Sequence, residues 1–221
     1  MPSSKPKQIP EKETKTSVVK KDEDRGKDHS RRTLLVQSLR ELLREEDPAS
    51  ITFAKVCERA KIPRASAYHF FPDMGALYLG LRLVHSELVS RRLSKVETTE
   101  FQTWQDYVYF LAREAASVVR EDLALMRVVY GVRNEETKDV GKALDSTIAK
   151  LALSQVEDRF LLPDLPDMAR KVGIAVSLID SVFRYSFREQ GEITEEMVSE
   201  AGRAAVAYLR SYLPEFLKYR K

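Results

Sequence analysis

From Arg31 onward the apolar positions recur with the period of a helix, and no stretch alternates with the period of two that marks a strand. Leu35, Leu39, Leu42 and Leu43 form one stripe, predicting a first helix that ends near Asp47-Pro48. Thr52 is a good N-cap for a second helix, in which Phe53, Val56, Cys57 and Ala60 fall at i, i+3, i+4 and i+7. Pro63 suits the entry to a third, two-turn helix, because its missing N–H is harmless there. Pro72 stops that helix, and Asp73 caps a fourth carrying Leu77, Leu81, Val84 and Leu88.

The remaining chain breaks at similar punctuation. Helices are expected around Trp104 to Val119, Leu123 to Tyr130, and about Glu135 to Leu162, where Pro163-Asp164-Leu165-Pro166 ends the run. Another should reach Gln190 with Gly191 just past its end, and Thr194 caps the last, with Glu195 and Glu196 complementing its dipole. Residues 1–29 lack aromatic side chains and are dense in Lys, Glu, Asp, Ser and Pro. They cannot bury enough apolar surface to offset their ordering entropy, so they are expected to be disordered.

The predicted fold is all-α. A three-helix helix-turn-helix unit over 30–77 follows the extension and precedes a larger helical body over 78–221. A short helix set behind a tight turn is the element that enters the DNA major groove. Arg64, in its first turn, has the fork that matches the O6 and N7 of guanine, and Ala65 is small enough to let the helix approach. Ser66, Tyr68 and His69 supply hydroxyl, phenol and imidazole donors for phosphates. Thr52 can cap its helix and bind a phosphate at once. Packing is the competing role for Phe71, for Cys57 on the apolar stripe and in part for Tyr68, and N-capping is the competing role for Ser66.

The segment TFAKVCERAKIPRASAYHFFPDMGALY resembles the DNA-binding head of the TetR family of bacterial regulators, with Thr52, Val56, Ala60, Ile62, Ser66, Tyr68, Phe71, Pro72 and Leu77 on the expected positions. The match covers Arg31 to Leu77. Three residues depart from the family pattern: Lys61 replaces a common Gly, Phe70 a common phosphate-binding His, and Met74 a common Lys. DNA contacts then fall to Lys55, Lys61, Arg64, His69 or the lysine-bearing N-terminal arm, beside Thr52, Pro63, Ala65, Ser66 and Tyr68. The resemblance implies a homodimeric repressor, released from double-stranded operator DNA when a small effector binds the body. The last two helices are the expected dimer face, since both carry small residues such as Gly173, Ala175, Ala201, Gly202 and Ala205. Candidate effector contacts are His85, Trp104, Tyr107, Val108, Leu111, Met126, Tyr130, Asp180 and Phe183, and their apolar bias suits an apolar or amphipathic molecule. Asp180 and Arg184 also have the spacing of an intrahelical ion pair.

Charge and composition add limits. The 221-residue chain has a formal net charge of +3, compatible with a locally basic DNA-binding face. Its single cysteine excludes an internal disulfide and suits a cytoplasmic setting. No window is apolar enough to span a bilayer, and the N-terminal lysines precede no signal-peptide core. Three histidines, one cysteine and no phosphate loop make an enzyme a poor reading; neither cofactor nor metal is expected. The closer rival is a DNA-bound protein of the same fold that answers to a protein partner.

Overall fold

The computed structural model describes residues 12–132 and 138–220, with side chains described over 28–132 and 146–220. Among these residues nine α-helices run in order: α1 (Lys12–Glu45), α2 (Phe53–Ala60), α3 (Arg64–Phe70), α4 (Met74–Leu93), α5 (Trp104–Arg120), α6 (Leu123–Met126), α7 (Lys138–Arg159), α8 (Met168–Gln190) and α9 (Glu195–Leu209). The fold is all-α, with one minimal antiparallel pair of β1 (Phe160–Leu161) and β2 (Lys218–Tyr219).

Local chemistry accounts for most boundaries. Thr52, Asp73 and Thr194 each accept a backbone N–H in the first turn of the helix they precede. Thr103 and Asp106 close a reciprocal capping box at the start of α5. Gly191 ends α8 with φ of 75°, a conformation that costs glycine little.

Four features depart from the sequence expectation. First, α1 runs back to Lys12, into the stretch read as disordered; that expectation for residues 1–11 lies outside the described residues. Straight-chain Lys, Glu and Arg lose little rotamer freedom in a helix, so this composition does not oppose extending one. Second, the expected helix over Leu123 to Tyr130 is α6 followed by a π-turn, Arg127–Gly131. Third, α7 stops at Arg159, because Phe160 and Leu161 pair with the chain's C-terminal segment. Two-residue strands are too short to leave a periodic signal. Fourth, Ala175, Ala201, Gly202 and Ala205 are buried within the chain. A Cβ at Gly202 would collide with the Tyr109 ring, so this glycine admits close packing of α9 on α5. Those small residues serve intrachain packing and not an outer face.

One core runs through the molecule, from Leu35, Leu39 and Leu43 beneath the helix-turn-helix to Phe183, Leu209 and Leu213 in the body. A polar joint lies beside it where α1 meets α6. The Asp122 carboxylate, 4% exposed, receives Arg40 Nε together with Arg44 Nε and Nη2, the last two at 2.9 Å. It also accepts the Ala124 N–H at 3.0 Å, and so caps α6. Arg127 reciprocates by donating to the carbonyls of Leu43 and Glu46, at 2.6 and 2.8 Å, where α1 ends. Burial alone would push the Asp122 carboxyl up; hydrogen bonds from Arg44 and Arg40 outweigh it and hold the pKa below its ordinary value.

Asp122→Ala is expected to lower the unfolding free energy at pH 7 by about 2 kcal/mol. A fully buried charge left alone would cost more, but both arginines reach solvent. The folded pKa is depressed, so the carboxylate's contribution is complete above its unfolded pKa of about 3.9 and is lost as pH falls through the folded value. Denaturant titrations of wild type and variant should therefore differ by a constant amount down to about pH 5 and converge under stronger acid.

Candidate nucleic-acid interface and interior cavity

Phe53, Val56 and Cys57 on the inner face of α2 are buried, as are Ala67 and Phe70 of α3. Between the two helices Lys61 adopts φ 55°, ψ 37°. The Lys61 and Ile62 N–H groups return to the carbonyls of Glu58 and Cys57, at 3.1 and 3.0 Å. This is a Schellman turn, and buried Ile62 supplies the apolar contact that accompanies it. A residue other than glycine pays roughly 1–2 kcal/mol for left-handed backbone. The turn keeps it because the alternative strands two helix-end carbonyls.

Pro63 is the N-cap of α3, one place earlier than the first helical position. Arg64, Ala65, Tyr68 and His69 are exposed on the outer face of α3, and Ser66 is half-buried beside them. The Tyr68 ring, 53% exposed, stacks on Phe53 with centroids 4.5 Å apart and planes inclined by 12°. One face of Tyr68 thus fixes the angle between α2 and α3 while the ring stays half open to solvent. His69 lies edge-on to Phe70 at 5.4 Å. Phe70, in the place where resemblance suggested a phosphate-binding His, is a core residue at 8% exposure.

The long basic side chains of α2, the turn and α3 divide into two sets. Lys55 Nζ meets Glu46 at 2.8 Å, and Arg59 makes two bonds to Glu45, at 3.0 and 2.6 Å. Both are committed to the end of α1. The side chains of Arg64 and Lys61 make no hydrogen bond or ion pair with any described residue, and both are exposed. Thr52 is exposed too, its hydroxyl receiving the Lys55 N–H at 3.3 Å. Of the nine sequence-derived positions, eight are exposed and Ser66 is half-buried, with Lys55 paired. Burial pushes the Cys57 thiol up, against a smaller opposing influence of the Arg64 charge, consistent with a packing role.

The interior candidates do not converge on one place. Trp104, Tyr107, Val108 and Leu111 line a cavity of about 30 Å³ bounded by α5, α7, α8 and α9. Ala152, Val156, Val172, Ala175 and Leu213 are among the other wall residues. These escaped sequence reading because an apolar residue at helical spacing looks the same whether it meets a neighbour or a void. His85, Met126, Tyr130, Asp180 and Phe183 do not line it. Tyr130 crosses Phe183 edge-on at 6.4 Å, with the Asp180 carboxylate near its phenol, and Asp180 pairs with Arg184 at 3.2 Å. Burial pushes the Tyr130 phenol up, and the Asp180 charge adds to it. His85 Nε2 is buried without a partner among the described residues; burial, helped by the Arg82 charge, lowers its pKa to about 4, so the imidazole is neutral near pH 7. Met126 is buried in α6.

Solved structures share this architecture. A TetR transcriptional regulator from Rhodococcus sp. RHA1 superposes with a TM-score of 0.63 at 18% identity, over 83% of this chain and 97% of that one. A TetR-family transcriptional regulator from Streptomyces coelicolor gives 0.60 at 21% identity, over 83% and 99%. RolR, solved in complex with resorcinol, gives 0.55 at 16% identity, over 85% and 89%. No family model matches the chain, and no curated protein does. The chain thus has the fold of TetR-type regulators, including their N-terminal helix-turn-helix.

Lys61→Gly should relieve the left-handed strain at the cost of a more flexible unfolded chain. The expected result is a gain of about 0.5–1 kcal/mol, read as a higher denaturant midpoint with unchanged slope.

Proposed function

We propose that this protein is a sequence-specific DNA-binding transcriptional regulator, a homodimeric repressor that leaves its operator when a small molecule binds the body. The observation that carries the reading is the outer face of α3. It is a short helix held from behind by Ala67 and Phe70, whose one long donor, Arg64, is unpaired among the described residues. A helix that presents a free guanidinium beside a small residue and a phenol has the complement of a major-groove edge. Residues 30–77 form the DNA-binding head and 78–221 the regulatory and dimerising body. The proposed site comprises Thr52, Lys61, Pro63, Arg64, Ala65, Ser66, Tyr68 and His69, with Lys55 joining if its ion pair to Glu46 opens against phosphate.

Pairing through α8 and α9 is supported by the outer face of α8. There Ile174 and Tyr185 are 41% and 53% exposed, with Ser177 and Ser181 between them at helical spacing. A two-fold interface sets two α3 helices against half-sites roughly 34–36 Å apart. The joint between α1 and α6 supports a route from body to head. Arg127 bonds the end of α1, and Tyr130, in the same π-turn, packs against Phe183 of α8. A molecule that moves α8 would move that turn, and α1 with it. The setting proposed is the cytoplasm; among the described residues no helix is long and apolar enough to cross a membrane.

Operator sites selected from random duplexes, followed by gel retardation, test this reading. Arg64→Ala should lose roughly 1–3 kcal/mol of discrimination at one base pair while retaining nonspecific binding. Removing the Lys61 ammonium with Lys61→Gly should weaken all duplexes alike and flatten the salt dependence by about one charge. No retardation of any duplex at low ionic strength would refute the proposal.

A further inference from the structure

The cavity between α5, α7, α8 and α9 is lined without a single polar atom. Its two walls that own polar groups have spent them elsewhere. Trp104 Nε1 donates to the Pro214 carbonyl at 2.9 Å, and the Tyr107 hydroxyl donates to Gln155 Oε1 at 2.7 Å. The space is large enough for a water molecule, but a buried water needs two to four polar partners and would find none. It is a dry apolar seam.

Its shape narrows the choice of occupant. Wall residues run along α8 from Met168 to Ile179, a span of roughly 16 Å at the helical rise. At about 30 Å³ the void along this wall is well below the roughly 150 Å³ apolar void that accepts a benzene ring, so a guest must part the helices that bound it. Val156, Leu162, Met168, Val172 and Val176, on the α7 and α8 side, are only half-buried, so that wall meets solvent and can part. Met168 is unbranched and adapts to a guest. The segment after α9 closes the side next to Trp104: Leu213 lines the wall, and the carbonyls of Pro214 and Glu215 accept from Trp104 and Gln105.

We infer that this seam is a binding slot for an unbranched alkyl chain, entered between α7 and α8 and stopped by the C-terminal segment. The inference rests on reading the body as an effector module and assigns that effector a medium-length aliphatic chain. A straight chain is the thinnest apolar guest, needs no hydrogen bond, and fills a long seam by a small separation of two helices. A planar ring demands a wider opening at one point.

Trp104, the chain's one tryptophan, stands in the wall and is bonded to the stopper, so its emission reports occupancy. The full-length protein is titrated with octanoate, decanoate and dodecanoate below their micelle concentrations, and with naphthalene-2-carboxylate. The expected result is a saturable one-to-one emission change, with affinity rising roughly fourfold per methylene until the slot is full. The arene should bind at least tenfold more weakly than decanoate. Ala152→Leu and Val176→Phe fill the seam from an inner and an outer position, and whichever folds like wild type by circular dichroism should lose decanoate at least tenfold. No saturable change in folded wild type, equal affinity in a folded filled variant, or preference for the arene overturns the assignment. Gel retardation with and without decanoate is read separately: binding that leaves the DNA complex intact supports the slot and removes it from the regulatory reading.

Discussion

The joint between α1 and α6 is the constraint on which the remaining architecture depends. A carboxylate at 4% exposure is tolerable only when charge and hydrogen bonds answer it, and Asp122 has Arg40, Arg44 and the Ala124 N–H. Because the arginines belong to α1 and the carboxylate caps α6, the two helices cannot separate without exposing unpaired charge. Arg127 ties the same helices a second time through the carbonyls at the end of α1. Such contacts fix orientation, which an apolar interface alone would leave free to slide.

With α1 held, the helix-turn-helix has a platform. The seven residues of α3 are too few to be helical alone in water. They are helical because Ala67 and Phe70 are buried, Tyr68 stacks on Phe53, and the Schellman turn at Lys61 sets the direction of entry. The same arrangement settles charge. Acids at the end of α1 take up Lys55 and Arg59, which leaves Lys61 and Arg64 as the unpaired long cations of α2, the turn and α3 among the described residues.

The body follows a different rule. Its helices pack closely where side chains are small, as at Gly202 against Tyr109, and less closely where valines and alanines face one another across the seam beside Trp104. Close packing is the norm in protein interiors. A dry, elongated gap with a parting wall is therefore a place where the fold can yield with little loss.

The helical class, most helix boundaries and the composition of the α3 face were legible in the sequence, because caps, proline stops and apolar spacing act over a few residues. Thr52, Asp73, Thr194 and Gly191 do locally what their chemistry dictates. Pairings between distant segments were not legible. Nothing near Asp122 announces Arg40, and nothing near Phe160 announces Tyr219. Small residues on α8 and α9 carry no mark of whether they face a neighbour in the same chain or a second copy; packing within the chain claimed Ala175, Ala201, Gly202 and Ala205. The interior candidates were divided the same way, four around an apolar seam and others near Asp180, since periodicity tells that a residue is buried and not what it is buried against. Local preference needs only neighbours along the chain, whereas partners and voids are decided when separate helices compete for the same space.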